Sequence, residues 1–107
     1  MAGKAQAPAK GYILLTFRLY SEGPQWVSEC VELGTASCGD TIEEALANIQ
    51  DATVLYLSTI EQNGSRGRVF RDRGVKVMRG EPPPLAEVRG RARPNELLTP
   101  YVHPIAA

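Results

Sequence analysis

The hydrophobic positions of the chain begin with a strict alternation. In "YILLTFRLY" the residues Ile13, Leu15, Phe17 and Leu19 fall on every second position, which is the period of a β-strand with one apolar face. "SEGP" follows as a turn, and "QWVSECVEL" is predicted to form a second strand, antiparallel to the first. "TASC" is predicted as a third, short strand. The pattern therefore predicts a three-stranded antiparallel meander.

From residue 42 the spacing of the apolar positions changes to three and four, which predicts an α-helix from Ile42 to about Gln62. One stripe of the helix is expected to cover the sheet, and it comprises Ile42, Ala45, Leu46, Ile49, Thr53, Tyr56 and Ile60. Val54 and Leu55 lie off this stripe. We therefore expect a later segment or another subunit to cover them, and they are the candidate interface of a homo-oligomer, most simply a dimer.

"GDTIEEAL", from residue 39, specifies where this helix begins. Thr41 is a favourable N-cap, and Glu44 stands three residues later, so the two are predicted to form a capping box in which Glu44 accepts from the N–H of Thr41. Asp40 adds negative charge at the positive end of the helix dipole. Gly39 is expected to permit a backbone turn that other residues resist.

The second half of the chain first continues the domain and then changes in composition. "RGRVFRDRG" predicts one or two helical turns ended by Gly74, and "VKVM" a last strand. Beyond Gly80, six of the eight prolines lie between Pro82 and Pro104, and proline lacks the N–H that regular structure needs. We expect a flexible lead over 1–11, an α+β domain over 12–79, and a Pro-rich, partly basic extended tail over 80–107, ordered only where it docks.

Charge is unevenly distributed although the formal net charge is zero. Residues 1–65 carry three basic and eight acidic side chains, whereas residues 66–93 carry nine basic and three acidic ones. The asymmetry favours charge-steered association between copies or with a charged partner. The candidate basic partner surface comprises Arg66, Arg68, Arg71, Arg73, Lys76 and Arg79. Nucleic acid is a less favoured partner, because Phe70 is the only base-stacking aromatic side chain in this stretch.

The residues that often carry catalysis have simpler structural explanations here. Asp40, Glu43 and Glu44 are consecutive or nearly so and suit a helix N-terminus better than a magnesium site. Cys30 lacks a plausible base, since the only histidine, His103, lies in the Pro-rich segment. Two cysteines without a metal-ligand spacing argue against structural zinc. We expect no enzyme activity, no cofactor and no metal.

Nothing in the sequence indicates a membrane protein or a secreted one. No apolar run approaches the roughly 20 residues that span a bilayer, and "MAGKAQAPAKG" lacks the apolar region of a secretory signal. We therefore expect a soluble cytoplasmic protein with reduced thiols.

The stretch "WVSECVELGTASCGDTIEEALANIQDATVLYL" resembles the HicB family of type II antitoxins and its stand-alone relatives. The resemblance covers roughly residues 12–79, and its most specific part is "GDTIEEAL" placed directly after a three-strand meander. It implies a partial RNase H-like layer with this order of strands and helix. Full-length family antitoxins append a DNA-binding module, in whose place this chain has the Pro-rich segment. Direct promoter binding is therefore less expected for this chain than for a typical member of the family.

The resemblance also implies a function. Antitoxins of this family neutralise HicA, a small mRNA-cleaving toxin, by occlusion rather than by chemistry, so a HicA-type toxin is the implied partner. The alternative is a stand-alone oligomeric regulatory or nucleic-acid-associated module without a cognate toxin. The sequence leaves both open.

Overall fold

Strand β1 lies at the centre of an antiparallel sheet of five strands, which packs with two helices in an α+β fold. The computed structural model describes residues 10–84, 86–88 and 90–106. The elements in chain order are β1 (Lys10–Glu22), β2 (Gln25–Cys30), β3 (Ala36–Gly39), α1 (Ile42–Gln62), α2 (Arg66–Arg73), β4 (Met78–Arg79) and β5 (Glu96–Ala106). The predicted lead over 1–11 falls largely on residues 1–9, which lie outside the described residues.

Both edges of β1 are paired. Phe17 lies opposite Cys30 of β2 on one side and opposite Thr99 of β5 on the other. Near the start of β1, Gly11 lies opposite Arg79 of β4 and Ile105 of β5. Strands β2 and β4 therefore share one edge of β1, β3 lies outside β2, and β5 alone occupies the second edge.

Strand β5 is the largest departure from the sequence-based expectation. It comes from the segment predicted as a Pro-rich extended tail, and it pairs with β1 from Lys10 opposite Ala106 to Tyr20 opposite Glu96. Of the predicted strand "VKVM", residues 75–78, only Met78 lies in a strand, as the first residue of β4 (Met78–Arg79). The sheet thus has five strands, one more than the sequence predicts.

Two prolines fit into β5 because their nitrogens face the free edge. Thr16 lies opposite Pro100, and its backbone N–H and carbonyl both point away from β5. The Thr16 N–H donates to the Glu32 carboxylate at 2.8 Å, and the Thr16 carbonyl accepts from the Val31 N–H at 2.9 Å. Pro100 and Thr16 are therefore a non-hydrogen-bonded pair, and Pro104, four residues on, has the same orientation. Prolines in this position cost no ladder hydrogen bond and protect the edge from further pairing.

The core lies between β1, β2 and α1. The four alternating apolar side chains of β1 are buried as predicted, and Cys30 and Ser28 of β2 lie beneath the helix with at most 1% exposure. The buried residues of α1 are Ala45, Ile49, Thr53, Leu57 and Ile60. Leu57 is absent from the predicted stripe, while Ile42, Leu46 and Tyr56 of that stripe are only half-buried against the core.

The helix boundaries follow from local chemistry. Thr41 is the N-cap of α1 and its hydroxyl accepts from the Glu44 N–H at 3.0 Å. The Glu44 carboxylate accepts from the N–H of Asp40 at 2.9 Å, not from Thr41 as the sequence-based prediction has it. Helix α2 ends at Gly74, which adopts a left-handed conformation with φ of 69°, a geometry that glycine tolerates without steric cost.

Candidate interaction surface

The junction before α1 is built for close packing. A Cβ at Gly39 would stand 2.5 Å from the backbone nitrogen of Ala45 and 2.7 Å from the Cβ of Glu44. Glycine is therefore required by the space against the first helical turn, and not by the backbone turn that the sequence-based interpretation gave as the reason. Among the described residues, no group of three or more His, Cys, Asp or Glu side chains is placed to hold a metal ion. Gly39 and Thr41 of the "GDT" motif contribute to the packing and the capping of α1.

Cys30 is poorly placed to act as a nucleophile. Its side chain is buried in the core, and burial raises the pKa of the thiol above its usual value, which lowers the reactive thiolate fraction. His103 lies across β1 from it, opposite Ile13, while Cys30 lies opposite Phe17. Two strand spacings and four residues separate them by about 16 Å. Cys30 and His103 therefore do not form a catalytic pair.

His103 instead helps to hold β5 against β1. Its Nδ1 lies 3.0 Å from the Tyr101 hydroxyl, and the Tyr101 ring stacks on Phe17 with centroids 4.9 Å apart. Burial lowers the pKa of the His103 imidazole and raises the pKa of Tyr101. The neutral imidazole is therefore the form that the fold favours.

The solvent-facing side of α1, here called the outer face of α1, exposes an apolar centre. Leu55 is 69% exposed and Val54 40% exposed, so the two residues predicted from the sequence as an interface are uncovered. Helix α1 contains four carboxylates and no basic side chain. These are Glu43, Glu44, Asp51 and Glu61, all of them exposed. The outer face of α1 thus combines an exposed apolar pair with carboxylates near both ends and with Asp51 one turn before Leu55.

A groove of about 280 Å³ continues this surface toward the sheet. It lies between α1 and the end of β5, and Val54, Ser58, His103 and Ile105 contribute to its walls. Sequence reasoning missed the groove, because one wall belongs to β5. An exposed leucine beside an open apolar groove is typical of a binding surface.

The predicted basic surface is divided in the structure. Arg66 is engaged within the chain: its guanidinium donates to the Glu61 carboxylate at 2.8 Å and lies 5.9 Å from the centre of the Phe70 ring. The other five side chains are exposed and form no ion pair within the described residues. They are Arg68, Arg71, Arg73, Lys76 and Arg79.

Two further features depend on long-range pairing and have no sequence signal. Val31 and Leu97 expose about half of their side chains, one just after β2 and the other on β5. A cleft of about 540 Å³ also opens at the end of the sheet, where Tyr12, Pro82 and Pro104 contribute to its lining. Neither feature contains a constellation of catalytic or metal-binding side chains.

No protein-family model, curated protein or solved structure was found to match the chain. In the part of the chain that the structure describes, neither helix is both long and apolar enough to cross a membrane.

Proposed function

We propose that the protein is an antitoxin-like interaction module that neutralises a small HicA-type mRNA-cleaving toxin by occlusion. The observation that carries this proposal is the outer face of α1, with Leu55 and Val54 exposed among carboxylates and without a basic side chain. A small RNA-cleaving protein needs a basic surface to hold phosphates. An acidic helix with an apolar centre is complementary to such a surface.

The two parts of the outer face contribute differently to binding. Burying Leu55 and Val54 supplies free energy, of about 1.5 to 3 kcal/mol for each side chain at full burial. The carboxylates steer the encounter and orient the toxin, since charge complementarity acts mainly on association rate and specificity. Occlusion needs no reactive group in the antitoxin, in keeping with the buried Cys30 and the structural role of His103.

The HicB-type relationship is part of the same proposal. It is supported by the meander β1–β2–β3 followed directly by the capped helix α1, the arrangement that the "GDTIEEAL" resemblance implies. Strand β5 follows the HicB-like part of the sequence, at the position where family antitoxins have a DNA-binding module. The proposed function is therefore toxin binding and does not include DNA binding by the described residues.

Co-purification tests the proposal. The products of the reading frames on either side of this one are co-expressed with the tagged protein, and a small basic product is expected to co-purify with the wild type. Leu55→Glu is expected to lose this product. Val31→Glu is the matched control, because Val31 is a similarly exposed apolar residue outside α1. Equal loss in both variants, or no small basic partner, contradicts the proposal.

A second function is favoured by the five exposed cations of α2 and the residues after it. A stand-alone nucleic-acid-associated module would use Arg68 and Arg71, which lie three residues apart on one face of α2. Binding of RNA or DNA in a shift assay should then weaken steeply with salt, and Arg68→Glu/Arg71→Glu should reduce the salt dependence. No binding at about 50 mM salt excludes this function.

A further inference from the structure

We propose that the groove between α1 and β5 receives one long cationic side chain of the toxin, an arginine or a lysine. The inference rests on the proposed function, because it names the kind of residue with which a basic partner would hold this side of α1. The apolar walls of the groove would take the methylene stem of the guest side chain, and the Glu61 carboxylate would bind its charged head.

The groove exists because α1 covers only part of the sheet. Helix α1 packs on β1, β2 and β3, whereas β5 packs only on β1 among the described elements. His103 and Ile105 of β5 therefore line one wall and the flank of α1 lines the other, with a volume of about 280 Å³. Sites for small molecules usually enclose about 300 to 1,000 Å³. A single side chain thus matches the groove better than a complete small ligand.

The wall contributed by α1 changes from apolar to acidic along the helix. Its residues are spaced by three, four and seven positions from the first, which places them on one side of the helix. They are Val54, Leu57, Ser58 and Glu61. Val54 and Leu57 form the apolar part together with Ile105 of β5, and Glu61 lies about 10 Å beyond Val54 along the helix axis. Lysine and arginine have the same order of chemistry, with an apolar stem and a charged end.

The charge of the groove favours a cationic guest. Glu61 is the only carboxylate, and no lysine or arginine occurs, among the described residues that line the groove. Burial lowers the pKa of His103, so its imidazole is mostly neutral at pH 7. The last turn of α1 carries no basic side chain, and this end of a helix is the negative end of its dipole. An anionic guest would be repelled here and a cationic one attracted.

Arg66 is a competitor for Glu61 within the chain. Its guanidinium lies 2.8 Å from Oε1 of Glu61. The two oxygens of a carboxylate offer about four acceptor positions, so Glu61 can hold Arg66 and a second cation together. The charge of Arg66 partly offsets that of Glu61 and weakens the attraction for a guest. Removing the charge of Arg66 should therefore strengthen binding of the guest, which the loss of a merely structural contact would not do.

Small probes test the groove without a toxin. N-acetylarginine amide is titrated into the protein at low salt, and the NMR shifts of Val54, His103 and Ile105 are followed. N-acetylcitrulline amide has the same shape without the charge and is the matched probe. The arginine probe is expected to bind with a Kd of about 1 to 10 mM, and the citrulline probe about tenfold more weakly. Equal binding of the two probes, shifts confined to other surfaces, or no saturable shift overturns the inference.

Three variants locate the charge that binds the probe. Glu61→Gln should weaken the arginine probe about tenfold, to the level of the citrulline probe. Glu43→Gln is the matched control, because Glu43 is an exposed carboxylate of α1 outside the groove, and it should change binding by less than about twofold. Arg66→Gln should tighten binding about threefold. Equal effects of Glu61→Gln and Glu43→Gln, or weaker binding by Arg66→Gln, contradict the proposed site. Far-UV circular dichroism and urea midpoints verify that all variants are folded.

The two proposals fail in different ways. A small basic toxin that is captured equally well by the wild type, Glu43→Gln and Glu61→Gln removes the inference and leaves the proposed function standing. An arginine probe that binds at Glu61, when no small basic product co-purifies, leaves the groove as a site for a cationic side chain and removes the toxin. If both proposals hold, Glu61→Gln should weaken toxin binding about tenfold, whereas Leu55→Glu should abolish it.

Discussion

The ring of Tyr101 in β5 stacks on Phe17 in β1, with the two ring planes inclined by 17°. This contact joins the last strand of the chain to the most buried part of the sheet. Tyr101→Ala should therefore lower the free energy of unfolding by about 2 to 3 kcal/mol, since it removes a large aromatic contact from a half-buried site. Urea unfolding measures the change. Tyr101→Phe keeps the stacking and is expected to cost about 1 kcal/mol or less; equal losses in the two variants would contradict the assigned role.

Gly39 and Gly67 form a matched pair for testing the close approach at the start of α1. Gly39→Ala should destabilise the protein by about 1 to 3 kcal/mol, because the new methyl group meets backbone that has little freedom to move. Nothing lies within 4 Å of a Cβ at Gly67, inside α2. Gly67→Ala should thus stabilise by about 0.5 to 1 kcal/mol. Thermal or urea unfolding of both variants gives the comparison, and a harmless Gly39→Ala would show that the junction is looser than described.

The two thiols should differ sharply in reactivity. Cys30 is buried and Cys38 is exposed. A thiol reagent should therefore label Cys38 at once in the native protein and Cys30 only on unfolding. Cys30→Ala should be mild, whereas Cys30→Phe should cost roughly 1 to 3 kcal/mol by overpacking beneath α1. Rapid labelling of Cys30 in the native state would show that its thiol is accessible and reopen a catalytic role.

His103 should make stability depend on pH. Burial lowers its pKa in the folded state, so the unfolded chain binds the proton first as pH falls. Its contribution is fully present above the unfolded pKa of about 6.5 and is lost as pH falls below that value. Between about pH 7.5 and 5.5, the wild type should therefore lose more stability than His103→Gln, measured by urea unfolding at each pH. Parallel curves would contradict burial of His103.

The sequence predicts the elements whose chemistry is local. The bounds of α1 agree with the structure because the apolar spacing, the Thr41 cap and the Asn63–Gly64 end all lie within or beside the helix. The same holds for α2 and its end at Gly74. The angle of Val54 and Leu55 around the helix predicts that they lie off the stripe facing the sheet, and both are exposed in the structure.

Two of the missed features depend on contacts between residues that are distant in sequence. Strand β5 has no sequence signal, because Pro100 and Pro104 argue against a strand unless their nitrogens face a free edge. That orientation is fixed by Thr16 and its partners Val31 and Glu32 in the turn after β2. Likewise, the groove beside Val54 exists only where the end of β5 meets α1. The close contact of Gly39 with Glu44 and Ala45 is local in sequence, but it depends on the path of the backbone into α1, which the residue types alone do not specify.

The most direct measurement is the cleavage of mRNA by the small basic product of a neighbouring reading frame, titrated with this protein. We expect cleavage to fall to background near one protomer per toxin, Val31→Glu to inhibit like the wild type, and Leu55→Glu to require a large excess. Cleavage that continues unchanged at a severalfold excess of wild-type protein, or inhibition that is unaffected by Leu55→Glu, would contradict toxin occlusion by the outer face of α1.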